Sequence, residues 1–185
     1  MKKICITLIM LTSLSVISQT QKTYPLDIEK SVLNWTGSYS FFFSKHTGVA
    51  SFKKGELHTS NGKITGGSFI IDMQSISNEE YKQNIGPVQH LRDSDFFDVQ
   101  KFPEATLIIT SVEYFTSENT HKVLADLTIK GITKSIKFYG TADGTKKTFT
   151  TRFKIDRQRW DITYNNKLKN ESISDAVEFE VELFF

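Results

Sequence analysis

The sequence predicts an all-β protein with one short helical region: about eight or nine antiparallel strands, closed into a barrel or stacked as a sandwich. Three observations predict it. Apolar residues alternate with polar ones in run after run, as where Val123, Ala125, Leu127 and Ile129 are set against Lys122, Asp126, Thr128 and Lys130. Hairpin dipeptides, Asn61-Gly62 and Asp143-Gly144, separate such runs. Only one stretch carries helical signals, so strands with one apolar face must be covered by other strands.

The beginning of the chain stands apart. Met1–Ser18 reads as a secretory signal, with Lys2 and Lys3 as its basic start, Ile4–Leu14 as its apolar run and Val16-Ile17-Ser18 before a cleavage at Gln19. The run is shorter than the roughly 20 residues of a membrane-spanning helix. Cys5 lies at the start of that run, which argues against a lipoprotein anchor. The expected mature chain is one domain, residues 19–185, periplasmic or secreted and without stable membrane insertion. It has no cysteine, hence no disulfide and no thiolate chemistry. The whole chain has 23 Lys+Arg and 21 Asp+Glu; losing Lys2 and Lys3 leaves them equal. A neutral protein is a poor partner for nucleic acid, where phosphate neutralisation dominates affinity.

The strands follow in order. Ser31–Gly37 places Leu33 and Trp35 on one face, and Tyr39–Ser44 carries Phe41, Phe42 and Phe43. Gly48–Phe52 reads as a short strand ending near Gly55. After the Asn61-Gly62 turn, Ile64–Met73 puts Phe69, Ile71 and Met73 on one face, and Gly66-Gly67 suggests a bulge. The helical region is Ser77–Leu91, with Asn78 as N-cap, Glu79 and Glu80 in the first turn, and Pro87 opening a second turn. Phe96, Phe97 and Phe102 then interleave with charges until Pro103, and Ala105, Leu107 and Ile109 begin a buried strand. Gly131 breaks the run that ends at Lys130. Ile136 and Phe138, then Phe149, Phe153 and Ile155, then Val177, Phe179, Val181, Leu183 and Phe185 complete the alternation. The last strand, Val177–Phe185, reads as an edge that leaves a homodimer open.

The inward faces are rich in Phe, of which the chain has fifteen, and poor in charge. Such a wall suits a packed core or an apolar cavity for a lipid tail. Catalytic signatures are missing: no G-x-S-x-G elbow, P-loop or dinucleotide fingerprint occurs. His46, His58, His90 and His121 form no metal-binding spacing. Asp93, Asp95 and Asp98 lack the glycine and terminal glutamate of a calcium loop. Arg157 and Arg159, near a strand end, suit either a phosphate head group or surface ion pairs.

One stretch carries a family resemblance. His90-Leu91-Arg92-Asp93-Ser94-Asp95-Phe96-Phe97-Asp98, followed by Lys101-Phe102-Pro103-Glu104-Ala105-Thr106, resembles the YceI-like family of secreted lipid-binding proteins. The likeness continues in Gly67–Ile76, in Leu127–Lys134 and in Phe153–Arg157, and departs from the family pattern at Trp160-Asp161 and in the polar loop Asn165–Ser174. The resemblance implies a lipocalin-like, extended antiparallel β-barrel of about eight strands. It implies an isoprenoid lipid, a polyprenyl phosphate or quinone tail, held in the lumen by a non-enzymatic carrier or store, with no cofactor and no metal. The expected wall is Trp35, Phe41, Phe43, Phe69, Ile71, Phe97, Leu107, Ile109, Leu127, Phe138, Phe149, Phe153 and Phe179. The expected head-group residues at the mouth are His46, His90, Arg92 and Arg157. The alternative is a secreted barrel with a filled core, no lipid and a surface partner.

Overall fold

Period-two strands bury one face only when something covers it, and here the sheet covers itself. The computed structural model describes residues 20–40, 45–78, 87–94, 96–163 and 172–185. The expected signal Met1–Ser18, Phe41–Phe43, Asp95, Glu79 and Glu80 lie outside the described residues. The strands are β1 (Gln21–Pro25), β2 (Val32–Ser38), β3 (Lys45–Ser60), β4 (Lys63–Ser77), β5 (Glu104–Phe115), β6 (Thr120–Ile129), β7 (Ile132–Asp143), β8 (Thr148–Asp156) and β9 (Ala176–Phe184). A short helix α1 (Pro87–Arg92) precedes β5, and a 3₁₀ turn (Arg157–Trp160) follows β8.

Every pairing is antiparallel, and β2 to β9 form a closed eight-stranded barrel, because β9 pairs with both β8 and β2. The extra strand β1 lies on β3, against Glu56–Ser60. The closure corrects one expectation: Val177–Phe185 is not an edge, since Val177–Phe179 meet Ile155–Phe153 on one side and Phe179 meets Trp35 on the other.

Turn chemistry sets the register. Asn61 and Gly62 have φ of 51° and 77°, and Lys130 and Gly131 have 51° and 74°. Positive φ at both central residues is the type I′ turn, whose twist matches that of the strands. Asp143 begins a longer loop, where its Oδ1 accepts hydrogen bonds from the N–H groups of Thr145 and Lys146.

β3 is far longer than Gly48–Phe52. Two features hide its length. Its ladder with β4 shifts register between Phe52 and Lys54, so the inward set changes from Ala50 and Phe52 to Gly55, Leu57 and Thr59. Gly48 and Gly55, which read as breaks, are places where rings lie on the backbone: a Cβ on Gly55 would sit 2.7 Å from Phe69, and one on Gly48 2.5 Å from Trp35. The bulge expected near Gly66 is present, as the register jumps over Thr65.

Because the barrel is a meander, its two ends are defined. The turns β2–β3 and β6–β7, the exit of β8 and the start of β9 lie at one end, with α1 between β4 and β5. Pro87 opens α1 as expected, and the turn expected to follow Asn78 lies outside the described residues; Asn78 itself stands at the exit of β4. Its Nδ2 donates to Thr47 O at 2.5 Å and ties the exit of β4 to β3. Beyond α1, Asp93 O accepts from Phe96 N and Asp98 N, and Asp98 O accepts from Lys101 N and Phe102 N. These turns drive Val88, Phe96 and Val99 into the interior.

Gly140 should be intolerant of a side chain. A Cβ there would lie 2.4 Å from Phe149 Cζ and 2.8 Å from Thr150 O. Overpacking of this kind costs typically 1–3 kcal/mol. Urea denaturation of Gly140→Ala is expected to show a loss of about 2 kcal/mol with an unchanged m-value.

Candidate functional site: an apolar cavity in the barrel

The inward faces do not fill the barrel. A cavity of about 220 Å³ runs inside it. Close packing leaves few voids larger than a water molecule, so a space of this size is a feature of the fold and not slack. Its wall is formed by β2 to β9 together with Leu91 of α1, Phe96 and Phe97.

Eleven of the residues expected on the wall line it: Trp35, Phe69, Ile71, Phe97, Leu107, Ile109, Leu127, Phe138, Phe149, Phe153 and Phe179. Phe41 and Phe43 lie outside the described residues. The rings form a chain across strands: Phe138 stacks on Phe153 at 4.9 Å, and Phe153 lies 5.5 Å from Phe179. Further residues beyond the expected wall line it, notably Leu33, Phe52, Ile64, Ile162 and Ile173. Alternation marks Leu33, whereas Phe52 precedes the bulge that breaks the pattern and Ile162 follows a turn without period.

Polar groups gather at the α1 end. Gly37, Ser38, Tyr39, His46, Arg157 and Ser174 line the cavity there. His46 Nε2 lies 3.4 Å from Tyr39 Oη, with the rings edge to face at 5.5 Å. Tyr39 forms an isolated bridge with Ile173, and Ser174 N donates to Ser38 O at 2.8 Å, which brings the approach to β9 against β2. Of the four residues expected at the mouth, the structure brings together His46 and Arg157. His90 is exposed on α1, Arg92 is half-buried, and neither lines the cavity; Leu91 between them does.

Arg157 is fully buried, and its guanidinium is a fastening. Nε donates to Ser174 O at 3.2 Å, Nη1 to Ile162 O at 2.5 Å, and Nη2 to Asp175 Oδ1 at 3.0 Å. It thus clamps the exit of the 3₁₀ turn to the approach to β9. Arg159 is different: it is exposed, with Nη2 on Ser135 O at 2.9 Å.

The opposite end is closed by aromatic rings. His121 stacks on Tyr114 at 4.4 Å and meets Phe149 edge to face at 6.0 Å. It is buried, and its Nδ1 has no hydrogen-bond partner among the described residues. Burial holds the imidazole pKa below its ordinary 6.5, against an opposing backbone hydrogen bond at Gly140. Among the described residues no group of three or more His, Cys, Asp or Glu side chains is gathered for a metal, and no helix is long and apolar enough to cross a membrane.

The profile of the YceI-like domain matches residues 24–185. This chain belongs to the YceI-like family. Curated relatives match over a shorter stretch. A UPF0312 protein of Pseudomonas putida strain W619 is 42% identical over 59 residues, or 32% of this chain and 30% of that protein. One from Pseudomonas fluorescens strain SBW25 is 41% identical over 59 residues, with the same shares. Thus the matched part of the chain spans under a third of these relatives' length. Solved structures share the fold at low identity. BcnA of Burkholderia cenocepacia has a TM-score of 0.67 at 19% identity, covering 85% of this chain and 98% of that one. A polyisoprenoid binding domain from Saccharophagus degradans, implicated in plant cell wall breakdown, has 0.59 at 16%, covering 90% and 97%.

Trp160 and Asp161 close the 3₁₀ turn after β8. Trp160 is fully buried, with its indole Nε1 donating to Leu127 O at 3.0 Å. Asp161 takes φ +56°, a left-handed conformation that Asp tolerates better than most side chains.

Two outcomes are expected. Arg157→Leu leaves the carbonyls of Ile162 and Ser174 without the guanidinium, at 1–3 kcal/mol for each unmet group. Chemical denaturation should show a loss of about 3 kcal/mol. For His121, the folded state resists a proton that the unfolded state takes up near pH 6.5. Its contribution is full above that pH and is lost as pH falls through the lower pKa of the folded state. Denaturation midpoints should therefore fall from pH 7 towards pH 5 in the parent protein and fall less in His121→Phe.

Proposed function

We propose that this protein binds a long-chain isoprenoid lipid, of the polyprenyl phosphate or quinone type, in the barrel lumen. It acts as an exported, periplasmic or secreted carrier or store, and not as an enzyme. The observation that carries the reading is the cavity: about 220 Å³, walled by aromatic and branched aliphatic side chains, with most of its polar lining, Thr151 apart, at one end. That layout matches an amphiphile with a long apolar tail and a small polar head. The tail lies along Phe69, Leu107, Phe138, Phe153 and Phe179, and the head sits near Tyr39 and His46. The description of the Saccharophagus degradans neighbour as a polyisoprenoid binding domain supports the same ligand class.

The energetics suit the task. Each buried CH₂ contributes about 0.8 kcal/mol, so a tail of several isoprene units binds through apolar contact alone, less the cost of ordering it. Water does not dissolve such a tail, and a soluble container does. The domain of the mature protein is taken as residues 19–185, following a cleaved Met1–Ser18.

Mass spectrometry of an organic extract of the protein purified from its native compartment tests the reading, and a stoichiometric prenyl lipid is expected. A protein that is empty and also takes up no added prenyl lipid overturns it. A companion variant places the ligand: Ala105 is buried on the cavity wall, and Ala105→Phe should retain at least ten-fold less prenyl lipid with an unchanged far-UV circular dichroism spectrum. Equal retention would place the tail outside the lumen.

A further inference from the structure

The barrel wall is not uniformly sealed. β6 and β7 are paired through nine consecutive positions, from His121↔Gly140 to Ile129↔Ile132. β7 and β8 are paired at four, from Gly140↔Thr151 to Asp143↔Thr148. All these strands are described throughout. Continued in the same register, the ladder would join Tyr139 to Arg152, Phe138 to Phe153, Lys137 to Lys154, and so on to Ser135 and Asp156. The two strands part before that point.

Side chains bridge the gap where backbone does not. Thr151 Oγ1 donates to Tyr139 O at 2.7 Å, and Arg159 Nη2 donates to Ser135 O at 2.9 Å. Behind them Phe138 and Phe153 stack at 4.9 Å. Both lips face the cavity, with Phe138 on one side and Thr151, Phe153 and Ile155 on the other. The unpaired stretch runs from Tyr139 and Arg152 towards the end that carries Tyr39 and His46. Along this stretch side chains, and not a backbone ladder, separate lumen from solvent.

A long tail threaded end-on through a narrow mouth must advance one unit at a time and shed its water against the rim. A wall that parts lengthwise admits the chain sideways. Rotating two rings and two hydrogen-bonding side chains opens this seam without breaking a strand ladder. We propose that the β7–β8 seam is the lateral passage through which the lipid tail enters and leaves the lumen. The proposal rests on the lipid-binding reading above.

The test uses Lys137→Cys with Lys154→Cys in the full chain carrying Cys5→Ser. Both lysines are exposed, lie across the seam and do not line the cavity. A cleavable bismaleimide joins them, and the same protein capped with N-ethylmaleimide is the control. Uptake of a fluorescent polyprenol from vesicles is followed in time, and retention is measured on protein loaded before cross-linking. The expected result is uptake at least ten-fold slower in the cross-linked protein, undiminished retention by the preloaded one, and recovery once the linker is cleaved. Equal uptake rates in cross-linked and capped protein overturn the lateral passage while leaving lipid binding in place. No uptake by the capped protein or by the parent chain overturns the lipid reading and this proposal with it.

Discussion

The pairing of β9 with β2 is the constraint on which the rest depends. Each strand carries one apolar face, and among the described residues no helix layer covers it. Joining the last strand to the first of the meander turns every such face inward at once. It also leaves no bare edge along β2 or β9. The pairing is specific in register: Trp35 meets Phe179, and Phe184 N donates to the Ser31 hydroxyl at 3.0 Å beyond the ladder's end. Without this join the aromatic wall would be a surface. With it the wall encloses a space.

That the space stays open is a separate matter of volume. A barrel of eight strands is about wide enough to be filled by its own side chains or to hold one ligand. Small residues tip the balance here. Gly37, Ala50 and Ala105 stand on the wall where larger residues would close it, while Gly48 and Gly55 let Trp35 and Phe69 lie back against the backbone. The two ends are treated differently. Tyr114, His121 and Phe149 stack across one. The other is held by Arg157, whose hydrogen bonds fasten the flanking segments beside the polar lining of Ser38, Tyr39, His46 and Ser174.

Much of this was legible in the chain because alternation and turn chemistry are local. Asn61-Gly62 fixed a hairpin by itself, and the alternating residues of β6, β8 and β9 marked their inward faces. What stayed hidden depends on distant partners. The bulge at Lys53 changes the inward phase of β3, and nothing near it in sequence announces the shift. Val177–Phe185 looked like an edge because the partner that covers it, β2, lies some 140 residues earlier. His90 and Arg92 flank the one residue of α1 that reaches the cavity; the direction of a side chain on a six-residue helix follows from how that helix docks on β4. Arg157 was legible as a charge near a strand end, but not as a clamp, since two of its three acceptors are backbone carbonyls and the third, Asp175, lies eighteen residues on.

The closure between β2 and β9 also bears on how the chain comes to be folded. Neighbouring strands zip as they are made, since each hairpin is local. The final join brings together segments separated by nearly the whole domain, and such long-range contacts are slow to form. Until β9 arrives, β2 and β8 each offer an unpaired edge and the aromatic faces stand in water. A nascent chain therefore passes through a stage that is sticky in two ways at once. It reaches safety only when β9 is in place, so loss of part of β9 does more harm than the number of residues removed suggests.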